Sequence, residues 1–113
     1  MGNSALLYLQ DMMEAINTLD QFLSGVPKES FLKNVEKQFA AARVLEILGE
    51  ASAKLTDEFK QAHPEIDWRG LKSMRNLLIH DYAVVDPEEL WKAWEADIPS
   101  LKESVRSVLN GLE

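Results

Sequence analysis

The chain has 113 residues, 46% of them hydrophobic and 27% charged, with no cysteine and a formal net charge of −7. That length suits one domain spanning residues 1–113, able to bury roughly 65% of its unfolded surface without a disulfide or metal staple. The missing cysteines exclude thiol catalysis and cysteine-zinc sites, the two histidines are separated by a loop, and the acidic balance disfavours nonspecific binding to nucleic acid or an anionic membrane.

From Ala5 to Leu23 the positions Leu6, Leu9, Met12, Met13, Ile16, Leu19, Phe22 and Leu23 recur at three- and four-residue steps, which predicts a helix ended by Ser24-Gly25-Val26-Pro27. A second helical stretch runs from about Ser30 to Leu55 through Phe31, Val35, Phe39, Ala42, Leu45 and Leu48, with Asn34 as a candidate break. Gly49 inside it costs about 1 kcal/mol against alanine, so it marks a close helix approach, at a bundle crossing or a dimer contact. Arg43, Glu46 and Glu50 are spaced for a structural ion network along that helix. Thr56-Asp57-Glu58 starts a short helix, and His63-Pro64 stops it, because the residue before proline disfavours αR geometry. His63 itself reads as a helix end or loop contact.

Asp67 is placed to cap a helix from Trp68 to about Tyr82. After Ala83-Val84-Val85, Asp86-Pro87-Glu88-Glu89 supplies an N-cap, a proline at N1 and a glutamate at N3. The last helix carries Trp94, Ile98, Leu101, Val105, Val108 and Leu112 in a seam, and Pro99 should kink it. No alternating strand pattern, glycine-rich phosphate loop or repeat competes with this reading. The expected fold is all-α, an antiparallel bundle of about five helices. The methionines and tryptophans are expected in core or interface packing, with no cofactor. No apolar run approaches the roughly 20 residues of a membrane span, and the start lacks a signal-peptide pattern, so the expected location is a reducing cytoplasm.

The run Arg75-Asn76-Leu77-Leu78-Ile79-His80-Asp81-Tyr82 is the richest in chemistry. At 100° per residue Leu71, Leu78, Ile79 and Tyr82 form one apolar arc with Arg75 near its middle, where an arginine belongs only with a partner. Asn76 and His80, four apart, flank the arc and can meet one ligand. A buried polar pair bonded to backbone carbonyls or a carboxylate is the bland alternative for Arg75 and His80, and a core tyrosine with its hydroxyl at the rim is that for Tyr82.

This run resembles the Arg-x4-His-x-Tyr pattern of the HepT-like toxins of the HEPN superfamily. Arg43-Val44-Leu45-Glu46-Ile47-Leu48-Gly49-Glu50-Ala51 is similar to a second family signature, His63-Pro64-Glu65-Ile66-Asp67-Trp68 to its lead-in, and Val85-Asp86 through Trp91 to its follow-on. The resemblance implies a HEPN-like helical domain and metal-independent endoribonuclease activity, with a homodimer bringing two Arg/His pairs into one cleft. His80, with a side chain that ordinarily titrates near pH 6.5, would act as base or acid, and Arg75 would hold the scissile phosphate. Asn76 would orient the imidazole or donate to phosphate, and Arg69 and Lys72 would extend a basic strip toward RNA. The resemblance also implies a minimal nucleotidyltransferase antitoxin that transfers AMP to Tyr82 or only caps the site. The alternative is a non-catalytic HEPN subunit that binds, regulates or presents substrate to a nucleotidyltransferase.

Overall fold

A computed structural model describes the chain over residues 3–80 and 86–112. Within them every element is helical: α1 (Asn3–Leu23), α2 (Lys28–Leu32), α3 (Val35–Ala53), α4 (Asp57–Ala62), α5 (Trp68–His80), α6 (Pro87–Lys92) and α7 (Ile98–Leu112), with a π-helical turn at Ala93–Asp97 joining the last two. This is the expected all-α bundle. None of these helices is long and apolar enough to cross a membrane.

Local chemistry sets most of the boundaries. Leu9, Met12, Ile16, Leu19 and Leu23, at helical spacing, bury the inner face of α1 almost completely. The chain then turns at Gly25, whose φ of +78° is a conformation that side-chain-bearing residues disfavour. Asn34 breaks the second helical stretch because its extended backbone cannot continue a helix, while its side chain accepts from Lys37 N at 3.0 Å and so caps α3. Thr56 caps α4 by accepting from Phe59 N at 3.1 Å, and the helix stops at His63, before Pro64. Asp86 caps α6 by accepting from Glu88 N at 2.9 Å, with Pro87 in the first turn.

The anticipated conflict at Pro99 is resolved one turn earlier. A proline inside a helix lacks its N–H and crowds the carbonyl four residues back. Here the ladder widens before it, with Ile98 N donating to Ala93 O five residues away. The helix changes register and continues as α7. Leu112, expected in the apolar seam, is instead 42% exposed, while Val105, Val108 and Leu109 are buried.

α3 is the central element, packing on α1 along one side and α5 along the other, while α1 also meets α7. Its Ala41, Val44, Leu45, Leu48 and Ala51 enter the core. Ser52 is the buried polar residue among those described, satisfied by donating to Gly49 O at 2.7 Å. Phe31 on α2 is fully buried with its ring 5.4 Å from that of Trp91 on α6. Lys28, 2.8 Å from Glu88, ties the same two helices, and the hydrogen bond to that carboxylate raises the lysine above its ordinary pKa. An ion pair from Lys102 to Asp20 joins α7 to α1.

Candidate functional site

The segment before α5 fixes where that helix begins. Trp68 donates its indole N–H to His63 O at 2.9 Å, and Phe59 packs tilted against the His63 ring at 4.4 Å and edge-on to that of Trp68 at 6.4 Å. His63 is thus a loop contact, with Glu65 at 3.6 Å. Asp67 then accepts from Gly70 N at 2.9 Å, the anticipated cap.

From Trp68 to His80 the helix carries Arg69, Lys72 and Arg75 but no aspartate or glutamate, in a chain whose net charge is −7. Leu71 and Leu78 point into the core, 5% and 4% exposed. Arg69, Lys72 and Asn76 lie on one exposed flank, as their register predicts. Among the described residues no carboxylate forms an ion pair with Arg69, Lys72 or Arg75. The result is a short basic surface on an acidic protein.

Arg75 is half-buried at the edge of that surface, against α3. An ideal Cβ built on Gly49 would lie 2.6 Å from Arg75 Cβ and 3.4 Å from its Cα, so the bundle crossing marked by Gly49 is this one. Arg75 Nε is buried without a hydrogen-bond partner among the described residues. An arginine on an apolar arc calls for a partner, and the described residues supply none to this donor. Such a group is costly to leave unsatisfied in a finished structure and favourable to satisfy with an anion.

One member of the expected arc differs: Ile79 is 36% exposed. Leu77, outside that arc, is 42% exposed. His80 closes the helix, one turn after Asn76 and about 7.5 Å of axial rise beyond Arg75. Tyr82 lies outside the described residues. Arg43 donates to Glu46 at 3.2 Å and to Glu50 at 3.5 Å, the ion network its spacing predicts.

A groove of about 420 Å³ runs along the far side of α5, between it and α6–α7. Its floor includes Leu71, Leu78 and Ile98, but its rim carries Glu65, Asp67, Glu89 and Asp97 against Lys92. Four carboxylates and one ammonium repel a polyanion. Among the described residues no three His, Cys, Asp or Glu side chains cluster as a metal site.

The model of the family described as "Ribonuclease HepT-like" matches residues 12–108. A protein of Thermococcus cleftensis described as "Probable ribonuclease HepT" is 48% identical over 95 residues, 84% of this chain and 86% of its own length. A "Putative RNase" of Methanocaldococcus jannaschii is 34% identical over 101 residues, covering 89% and 93% of the two chains. Another "Putative RNase", of Caldanaerobacter subterraneus subsp. tengcongensis, is 32% identical over 102 residues, covering 90% and 91%. No solved structure matches the chain.

Proposed function

The chain belongs to the HepT-like ribonuclease family, and from that premise we propose that it is a metal-independent endoribonuclease acting through Arg75 and His80. The observation that carries the reading is Arg75 itself, pressed against Gly49 with a buried Nε that no described residue satisfies, on a helix that holds cations and no acids.

The chemistry follows from the residue types. In RNA cleavage the 2′-oxygen attacks the adjacent phosphorus and gives up its proton, while the bond from phosphorus to the 5′-oxygen breaks and that oxygen gains a proton. An imidazole titrating near neutrality serves as the base or the acid. The two copies of His80 in a homodimer would supply both roles across one cleft. Arg75 binds the phosphate and stabilises charge on its oxygens through a fixed fork of donors. Asn76 orients the imidazole or donates to phosphate, and Arg69 and Lys72 hold flanking nucleotides. A histidine and an arginine suffice for proton transfer and charge stabilisation, so no metal enters the scheme. Biologically the protein acts as a toxin, and a minimal nucleotidyltransferase antitoxin neutralises it through Tyr82 or by covering the site. Family membership supports that assignment.

Incubation of purified protein with single-stranded RNA in EDTA tests the enzymology. Wild-type protein should cleave, and Arg75→Ala and His80→Ala should lose cleavage while keeping helix content. Cleavage that stops on chelation, or a His80→Ala protein with wild-type rate, overturns the assignment. An intact, correctly folded dimer without cleavage would favour the non-catalytic alternative.

A further inference from the structure

The ion network on α3 lies beside Arg75, and its position gives it a task beyond helix stability. Gly49 is the contact point, with its ideal Cβ 2.6 Å from Arg75 Cβ. Glu46 stands three residues before Gly49, and Cβ atoms at that spacing are about 5–6 Å apart, so Glu46 Cβ lies within roughly 8 Å of Arg75 Cβ. Glutamate and arginine side chains span that gap easily. Glu50 is the residue next to Gly49.

Neither glutamate pairs with Arg75. Both pair with Arg43, whose Nη1 is 3.2 Å from Glu46 Oε1 and 3.5 Å from Glu50 Oε1. Arg75 Nε, meanwhile, has no hydrogen-bond partner among the described residues. The arrangement is chemically pointed, because a phosphate-binding arginine beside two free carboxylates would be occupied by one of them. RNA would then have to displace that carboxylate before binding and would feel the repulsion of the other.

We propose that Arg43 is a positioning residue that holds Glu46 and Glu50 away from Arg75 and so keeps the Arg75 guanidinium available to an RNA phosphate. The proposal rests on the reading of Arg75 as the phosphate ligand. Arg43 need not touch RNA to do this. Its effect falls on the free enzyme, where the competition occurs, and therefore on substrate affinity more than on the chemical step.

The test uses the full-length protein, a mixed-sequence single-stranded RNA for kcat and KM, and its 2′-O-methyl counterpart, which cannot be cleaved, for Kd by anisotropy. Arg43→Ala should raise KM and Kd by about fivefold, the upper end for an exposed ion pair, with kcat near wild type. Arg43→Lys should restore most of the affinity. Adding Glu46→Gln and Glu50→Gln to Arg43→Ala should also restore it, by a larger factor than the same two changes give in the wild-type background. A residue acting only in helix stability would change the melting temperature and show no such rescue. Unchanged KM and Kd in Arg43→Ala, or equal gains from the glutamine changes in both backgrounds, overturns the proposal. Arg75→Ala, measured beside these variants, separates the two levels: if it binds and cleaves like wild type, the reading of Arg75 itself fails.

Discussion

A side chain on Gly49 would have to occupy space already filled by Arg75, whose Cβ lies 2.6 Å from the ideal Cβ position. The obstructing atoms are the Cβ, Cγ and Cα of Arg75, the rigid base of that side chain, so Gly49→Ala must push α5 away from α3. Overpacking of this kind costs about 1–3 kcal/mol, of which roughly 1 is returned by alanine's better helix propensity. The net loss should lower the melting temperature by several degrees, on a scale of about 4–8 °C per kcal/mol for a domain of this size. RNA cleavage should fall further than the melting shift explains, because the displaced residue is the proposed phosphate ligand. A Gly49→Ala protein with wild-type melting and wild-type cleavage would show that the crossing gives way freely.

Arg69 and Lys72 are exposed and carry no ion pair among the described residues, so their removal should leave stability within about 0.5 kcal/mol of wild type. Their contribution is expected in RNA affinity. For a single strand each phosphate contact adds about 0.7 to the slope of log affinity against log salt. Arg69→Ala or Lys72→Ala should therefore each reduce the slope by about that amount, weakening binding across sequences without relocating cleavage. Binding titrations at several salt concentrations give the slope directly, and a slope unchanged in both variants would place the RNA elsewhere.

The parts of this architecture legible in the sequence were those decided within a few residues. Asn34, Thr56, Asp67 and Asp86 end or begin helices because their own oxygens satisfy nearby backbone N–H groups, and that chemistry needs no distant partner. The Arg43 network was legible for the same reason, since one helix supplies all three residues. Gly49 announced a close approach but not its partner, because which helix crosses there is a tertiary fact. Ile79 and Leu112 misled because periodicity defines an apolar face without saying how far the neighbour extends along it. At Pro99 the conflict was readable, whereas its relief by a π-helical turn depended on how the preceding turn could open. That no described residue satisfies Arg75 Nε is likewise a property of the assembled packing.

The protein should be a two-fold homodimer, since one Arg/His pair with a short basic strip is a poor RNA site and symmetry supplies a second set. Phe39 on α3 leaves 66% of its surface to water, and Ile79 on α5 leaves 36%, exposed apolar side chains that an interface would cover. Light scattering at micromolar concentration should give twice the 12.8 kDa chain mass. Phe39→Glu should shift the population toward monomer and reduce cleavage together with it. A wild-type protein that scatters as a monomer with and without RNA would remove the composite site.

Regulation gives the last prediction. Co-expression with an active nucleotidyltransferase partner, ATP and Mg²⁺ should attach one or more AMP units at Tyr82. The phenolic oxygen would attack the α-phosphorus of ATP and release pyrophosphate, leaving the phenol proton to a base of the transferase. Tyr82 follows Arg75 by seven residues, which on a continuing helix is two turns and about 10.5 Å of rise on the same face. An added phosphate there brings negative charge and bulk toward Arg75, the cation whose Nε lacks a partner among the described residues. The modification would thus occupy the group that RNA needs, and the nucleotide would cover His80. Intact-mass measurement should show the AMP increment, and Tyr82→Phe should abolish it while leaving RNA cleavage largely intact. If the increment maps to another residue, or the partner still silences the Tyr82→Phe protein completely, steric capping becomes the better account of neutralisation.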